Sequence, residues 1–146
     1  LKFNHQLIYA HIMGHLMARH LLMQNHPLPE AIYPVPLHIR RLRERGYNQA
    51  GEMGRWLARE LNIPCHHHTL IRHKNTAAQA QLKSRERQEN VKNAFKIVGE
   101  IPYRRIALID DVMTTGATLR QLSLEIAKRG VPSVEIFCAA RAGKNR

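Results

Sequence analysis

Acidic residues are scarce in this chain: 11 Asp and Glu stand against 23 Lys and Arg, a formal charge of +12. An excess of that size points to polyanionic partners, small polyphosphates or nucleic acid, and charge alone does not choose among them. Aromatic residues are few as well, at 5%. No interleaved row of stacking rings is present, which argues against a dedicated single-strand binder. The 2 cysteines, Cys65 and Cys138, form no CxxC pair, so a reduced, cytoplasmic setting is expected. No apolar run reaches membrane-spanning length and no signal-peptide pattern opens the chain, so no membrane partner is expected. Two phosphate motifs are missing too, G-x-x-x-x-G-K followed by Ser or Thr, and G-x-G-x-x-G. Their absence removes the P-loop and the usual dinucleotide fingerprint.

What is present is organised around residues 105–118. Ile106 to Ile109 form a short apolar run suited to a strand buried on both faces. Asp110 and Asp111 follow where that strand should end, then a hydroxyl- and glycine-rich turn, Thr114-Thr115-Gly116-Ala117-Thr118. Leu119, Leu122 and Ile126 then recur at helical spacing, with Thr118 and Gln121 placed as a capping box. A loop leading into a helix can aim several backbone N–H groups at one anion, helped by the helix dipole. Gly116 permits close approach and positive φ, and the threonine hydroxyls add donors. Two ionised carboxylates would repel a phosphate but suit adjacent sugar hydroxyls. Ribose 5-phosphate is the guest these residues predict.

The remainder reads as one α/β domain over 1–146, with a helical N-terminal segment, 1–30, packing on it and a frayed tail at 141–146. Beginning at Leu1, the chain is expected to be part of a longer protein. Residues 5–24 predict an amphipathic helix with Ile8, Ile12 and Leu16, joined by Tyr9, Met13 and Met17, as the buried stripe. The histidines among them are expected to be solvated or groove-lining. A strand at 31–37 precedes an arginine-dense loop, 38–47, which is either a solvated turn or a second anion site. A helix from Asn48 would bury Ala50, Met53, Leu57 and Leu61. Residues 65–71 predict a strand whose His66, His67 and His68 are exposed. Residues 72–90 read as a surface loop, or as a cationic lid over a polyphosphate. Strands at 95–98 and 134–140 complete a parallel or mixed sheet flanked by helices.

The loop Asp110–Thr118 resembles the ribose-phosphate loop of the type I phosphoribosyltransferases, which bind phosphoribosyl pyrophosphate (PRPP). Further pieces extend the likeness to the ComF/GntX group of competence-associated, phosphoribosyltransferase-like proteins. They are Leu1-Lys2-Phe3, Pro34-Val35-Pro36, Arg45-Gly46-Tyr47-Asn48-Gln49, the spacing of Thr76, Gln79, Leu82, Arg87 and Asn90, and Asn93-Ala94-Phe95. The group's four-cysteine zinc module has no counterpart among these residues.

The resemblance implies that Asp110 and Asp111 take the ribose hydroxyls, directly or near Mg²⁺, while Thr114, Thr115, Gly116, Ala117 and Thr118 hold the 5-phosphate. Mg²⁺ would sit mainly on ligand oxygens. Arg40, Arg43 and Arg45, with Arg72 and Lys74 from the lid, are the candidates for stabilising the departing pyrophosphate. The acceptor is not legible. Two functions stay open: a Mg²⁺-dependent phosphoribosyltransferase, or a binding protein on the same fold that serves DNA uptake through single-stranded DNA or a helicase-type partner. Arg41, Lys83, Arg85 and Arg87 are the cations such a nucleic-acid role would use.

Overall fold

The structure, a computed structural model, describes residues 2–74, 85–86 and 92–143. Its elements run α1 (Lys2–Met23), β1 (Ala31–Pro34), α2 (Ile39–Arg45), α3 (Gln49–Leu61), β2 (Leu70–Arg72), β3 (Phe95–Ile97), β4 (Arg105–Met113), α4 (Ala117–Lys128) and β5 (Ser133–Arg141). The main sheet is parallel in the order β1-β4-β5, and β2 and β3 form a separate antiparallel pair. Most of the 72–90 stretch and the end of the tail lie outside the described residues. No described helix is long and apolar enough to cross a membrane.

The central strand β4 is buried on both faces, as its unbroken apolar run requires. Ile106 and Leu108 pack with Leu119, Leu122 and Ile126 of α4 and with Leu70, Phe95 and Ile97 of the small sheet. Ala107 and Ile109 face the other way, toward Met53, Leu57 and Leu61 of α3. Period-two alternation therefore sends one strand's side chains into two separate cores.

The N-terminal helix corrects the expected stripe. Ile8, Ile12 and Leu16 are 56%, 50% and 51% exposed. Ala10, Gly14, Ala18 and Leu21 are the buried positions instead. Small residues let α1 approach α3 closely, and of the expected stripe Met13 and Met17 pack partly against that core while Ile8, Tyr9, Ile12 and Leu16 are left exposed. A Cβ on Gly14 would stand 2.7 Å from Trp56 Cβ and 2.9 Å from the Met53 carbonyl oxygen. Gly14→Ala is therefore expected to destabilise by about 1–3 kcal/mol, the usual cost of overpacking. Denaturant unfolding measures it, and an unshifted midpoint would contradict this close approach. Of the helix's histidines, His11 stacks on Trp56 at 3.8 Å and His15 pairs with Glu60 at 3.5 Å.

Three further boundaries differ. The first strand stops at Pro34, because the prolines at 34 and 36 cannot donate to a ladder. The second contracts to Leu70–Arg72. His66 ahead of it is only half-buried, stacking on Tyr33 at 4.9 Å with its Nε2 2.9 Å from the Tyr103 hydroxyl. The arginine-dense loop is a helix, α2, whose N-cap His38 accepts from the Arg40 N–H and whose C-cap Gly46 sits at φ 81°. Arginine and leucine are good helix formers, and that signal outweighed charge crowding.

Candidate functional site

Everything in the site hangs on how far β4 outruns β1. The β1–β4 pairing ends at Pro34 opposite Ile109, whereas β5 continues alongside to Arg141 opposite Met113. The acidic pair therefore lies within β4, not beyond its end as expected, and projects past the last rung of β1. Successive strand residues point to opposite sides. Asp110 accordingly faces the loop that follows, while Asp111 faces α1 and α2, and both reach a common cavity of about 380 Å³.

The loop after the acids turns on Gly116, at φ 76°, which serves as the N-cap of α4 and gives no side-chain cap. The expected capping box is not formed. Thr118 already lies inside the helix and Gln121 donates to Glu125 instead, at 3.2 Å. The tighter turn starts the helix two residues earlier, and the Ala117 N–H of its first turn donates to Thr115 Oγ1 at 3.3 Å. Thr114, Thr115, Gly116, Ala117 and Thr118 line a small concavity of about 50 Å³ at that end. A tetrahedral oxyanion suits it and a ring system does not.

Cations close the opposite side of the larger cavity, where Arg41, Arg45 and Arg72 line it together with Thr114 and Thr118. Helical geometry makes the selection: Arg41 and Arg45, four apart, share a face, while Arg40 and Arg43 point to solvent. Of the expected pyrophosphate cations, then, Arg45 and Arg72 are brought to the cavity. Arg40, Arg43 and the exposed Lys74 are not. Arg41, expected on a nucleic-acid surface, turns inward, and its Nε is buried with no hydrogen-bond partner among the described residues. The i, i+4 spacing of Arg41 and Arg45 carried this information once α2 is known to be a helix. Arg72 lies over the Phe95 ring at 5.2 Å. Burial pulls its guanidinium below the usual range, with Asp110 opposing that shift.

The Arg45–Gln49 run has a local explanation for each part. Gly46 supplies the left-handed cap, the Tyr47 hydroxyl donates to Gln6 of α1, and Asn48 Nδ2 donates to the Val35 carbonyl at 3.0 Å. Together these fix the starts of α1 and α3 against the end of β1.

Asp110 is the perturbed acid. Burial, followed by its hydrogen bond to Asp111 and the Asp111 charge, pushes its carboxyl up to about 7. That lies above the ordinary value of 3.8, so folding favours the protonated form. The resulting stability is full below about pH 4 and is lost as pH rises through about 7. In metal-free buffer without ligand, the wild-type melting temperature is expected to fall across that window relative to Asp110→Asn. Parallel melting profiles for the two proteins would contradict it.

No protein-family model matches the chain. Its sequence is 46% identical over 118 residues to competence protein F of Haemophilus influenzae, covering 79% of this chain and 52% of that protein. It is 32% identical over 145 residues to the DNA utilization protein YhgH of Salmonella typhi, covering 97% of this chain and 64% of that one. The chain belongs to the ComF-like family. It thus spans between half and two-thirds of the length of these relatives. Among solved structures, a hypoxanthine phosphoribosyltransferase from Staphylococcus aureus superposes with a TM-score of 0.53 at 10% identity, covering 94% of this chain and 75% of that one. That likeness gives the fold: an α/β type I phosphoribosyltransferase fold, carried by a ComF-like sequence.

Proposed function

We propose that this chain binds PRPP with Mg²⁺ and acts as a phosphoribosyltransferase, releasing pyrophosphate as it transfers ribose 5-phosphate to an acceptor. One observation carries the reading: the acidic pair, Thr114 and Thr118 of the threonine loop, and three arginines, the half-buried Arg41 and Arg72 and the exposed Arg45, line a single cavity. Asp110 and Asp111 accept the ribose hydroxyls. The loop Thr114–Thr118 receives the 5-phosphate on backbone N–H groups and hydroxyls. Arg41, Arg45 and Arg72 hold the pyrophosphate.

Among the described residues no group of three or more His, Cys, Asp or Glu is gathered for a metal. The two carboxylates fit Mg²⁺, which takes few protein ligands beside ligand phosphates and water. Asp110 and Asp111 would hold it together with ligand oxygens, and the chemistry it supplies when bound is charge neutralisation on pyrophosphate. In the transfer, the bond from C1 to the pyrophosphate oxygen breaks and its electron pair leaves on the pyrophosphate. The acceptor nitrogen forms the new bond to C1 and gives its proton to water. The arginines stabilise charge that grows as the leaving group departs. Pyrophosphate release from PRPP and Mg²⁺ across a panel of acceptors tests the reaction, and no release with any acceptor would overturn it.

A second reading rests on the outward arginines. Arg40 and Arg43 are exposed and do not line the cavity assigned to PRPP, and the relatives are named for competence and DNA utilization. A non-catalytic role in DNA uptake, on single-stranded DNA or a helicase-type partner, would use them. It requires single-strand binding that weakens steeply with salt and with reversal of Arg40 and Arg43.

A further inference from the structure

A second cavity, of about 390 Å³, lies on the far side of Asp111 from the threonine loop. It is walled by Gln6 and Tyr9 from the first turns of α1, by Glu44 from the end of α2, and by Tyr47. Its volume falls within the roughly 300–1,000 Å³ of small-molecule sites. Arg45, Gln49, Asp111 and Val112 line both this cavity and the one assigned to PRPP, so the two adjoin at the ribose carboxylates.

A third cavity, of about 480 Å³, lies between α2 and β2 and includes Arg72 but neither aspartate. It borders the pyrophosphate end. An acceptor has to reach C1 of the ribose, and of these two only the Asp111 cavity opens there.

The lining of that cavity specifies the guest. Two tyrosine rings offer flat, polarisable walls to a planar ring. Tyr47 is fixed by donating its hydroxyl to Gln6. Gln49 Oε1 is buried with no hydrogen-bond partner among the described residues. A buried acceptor of this kind calls for an N–H on whatever occupies the space. Charge then discriminates among rings. Glu44 and Asp111 line the cavity with Arg45, which is shared with the pyrophosphate side, and Arg41, 4.0 Å from Glu44, lines that other side. A ring carrying a carboxylate would meet two like charges there, whereas a neutral ring with N–H donors would not.

Resting on the PRPP reading above, we propose that this cavity is the acceptor site and that it takes a neutral, N–H-bearing heterocycle of the nucleobase kind in preference to a carboxylated ring.

The test is calorimetric titration of adenine, cytosine and orotate into the full chain with Mg²⁺ and saturating ribose 5-phosphate, which fills the sugar site and has no pyrophosphate to release. Adenine or cytosine is expected to bind at least about tenfold more tightly than orotate. Tyr9→Ala is expected to weaken the neutral base by about tenfold, the usual scale of ring stacking. Gln49→Leu is expected to do the same by deleting the acceptor. Tyr9 lies on the exposed side of α1, and an unchanged melting transition shows that the variant folds. Orotate binding as well as or better than both bases overturns the proposal. So does an absence of binding by any ring, or base affinity that neither variant changes. Failure of ribose 5-phosphate itself to bind is a separate outcome, which removes the PRPP reading underneath and this inference with it.

Discussion

Replacing both Asp110 and Asp111 by Asn is expected to lower PRPP affinity by roughly 10²- to 10⁴-fold. Each carboxylate is assigned a charge-assisted hydrogen bond to a ribose hydroxyl, worth about 1.5–3 kcal/mol. Two such losses, at about 1.4 kcal/mol per tenfold, give that range. The fold should survive, because Asn has nearly the same shape as Asp. Calorimetry with Mg²⁺, beside thermal melts of the same variants, separates the two effects. An affinity within about twofold of wild type, in a protein that melts normally, would remove the acidic pair from the site.

The second large effect divides the arginines of α2. Arg41→Ala and Arg72→Ala are each expected to weaken binding of PRPP, and of pyrophosphate as its competitor, by about 10- to 100-fold, the worth of one charge-assisted contact. Arg40→Ala and Arg43→Ala are expected to stay within about twofold, since their side chains leave the cavity. Arg41 adds a sharper expectation. Its Nε is a buried donor without a hydrogen-bond partner among the described residues, so its removal costs binding while leaving stability unchanged or raised. Equal losses from the inward and outward arginines would mean that the field of the helix matters and the cavity does not.

The divergence between these two pairs marks where the sequence was legible. The run Ile106–Ile109 gave β4 because four apolar residues in a row allow little but a strand covered on both sides. The threonine loop was equally legible, since Gly116 must supply a positive φ where strand turns to helix. The cap itself was not. Thr118 and Gln121 match a capping box in spacing, and only the tight turn shows that the helix starts before them. The arginine-dense stretch between strand and helix was expected to be a loop, a solvated turn or a second anion site, but the cap pair His38 and Gly46 made a helix. Once that helix exists, i, i+4 geometry selects Arg41 and Arg45 as partners. The N-terminal helix misled for another reason. Periodicity weighted by bulk favours Ile8, Ile12 and Leu16, while close helix packing favours Ala10, Gly14 and Ala18. Arg72 was expected at the pyrophosphate as part of a lid, whereas it is carried by β2, whose pairing with β3 across a long separation was not legible in the sequence.

One measurement bears most directly on the central claim that a single cavity holds PRPP: calorimetric titration of the wild-type chain with PRPP in the presence of Mg²⁺. The account predicts saturable binding at one site per chain, competed by pyrophosphate and by ribose 5-phosphate, which would occupy its two ends. No heat of binding at millimolar PRPP, or binding that neither competitor displaces, would contradict it.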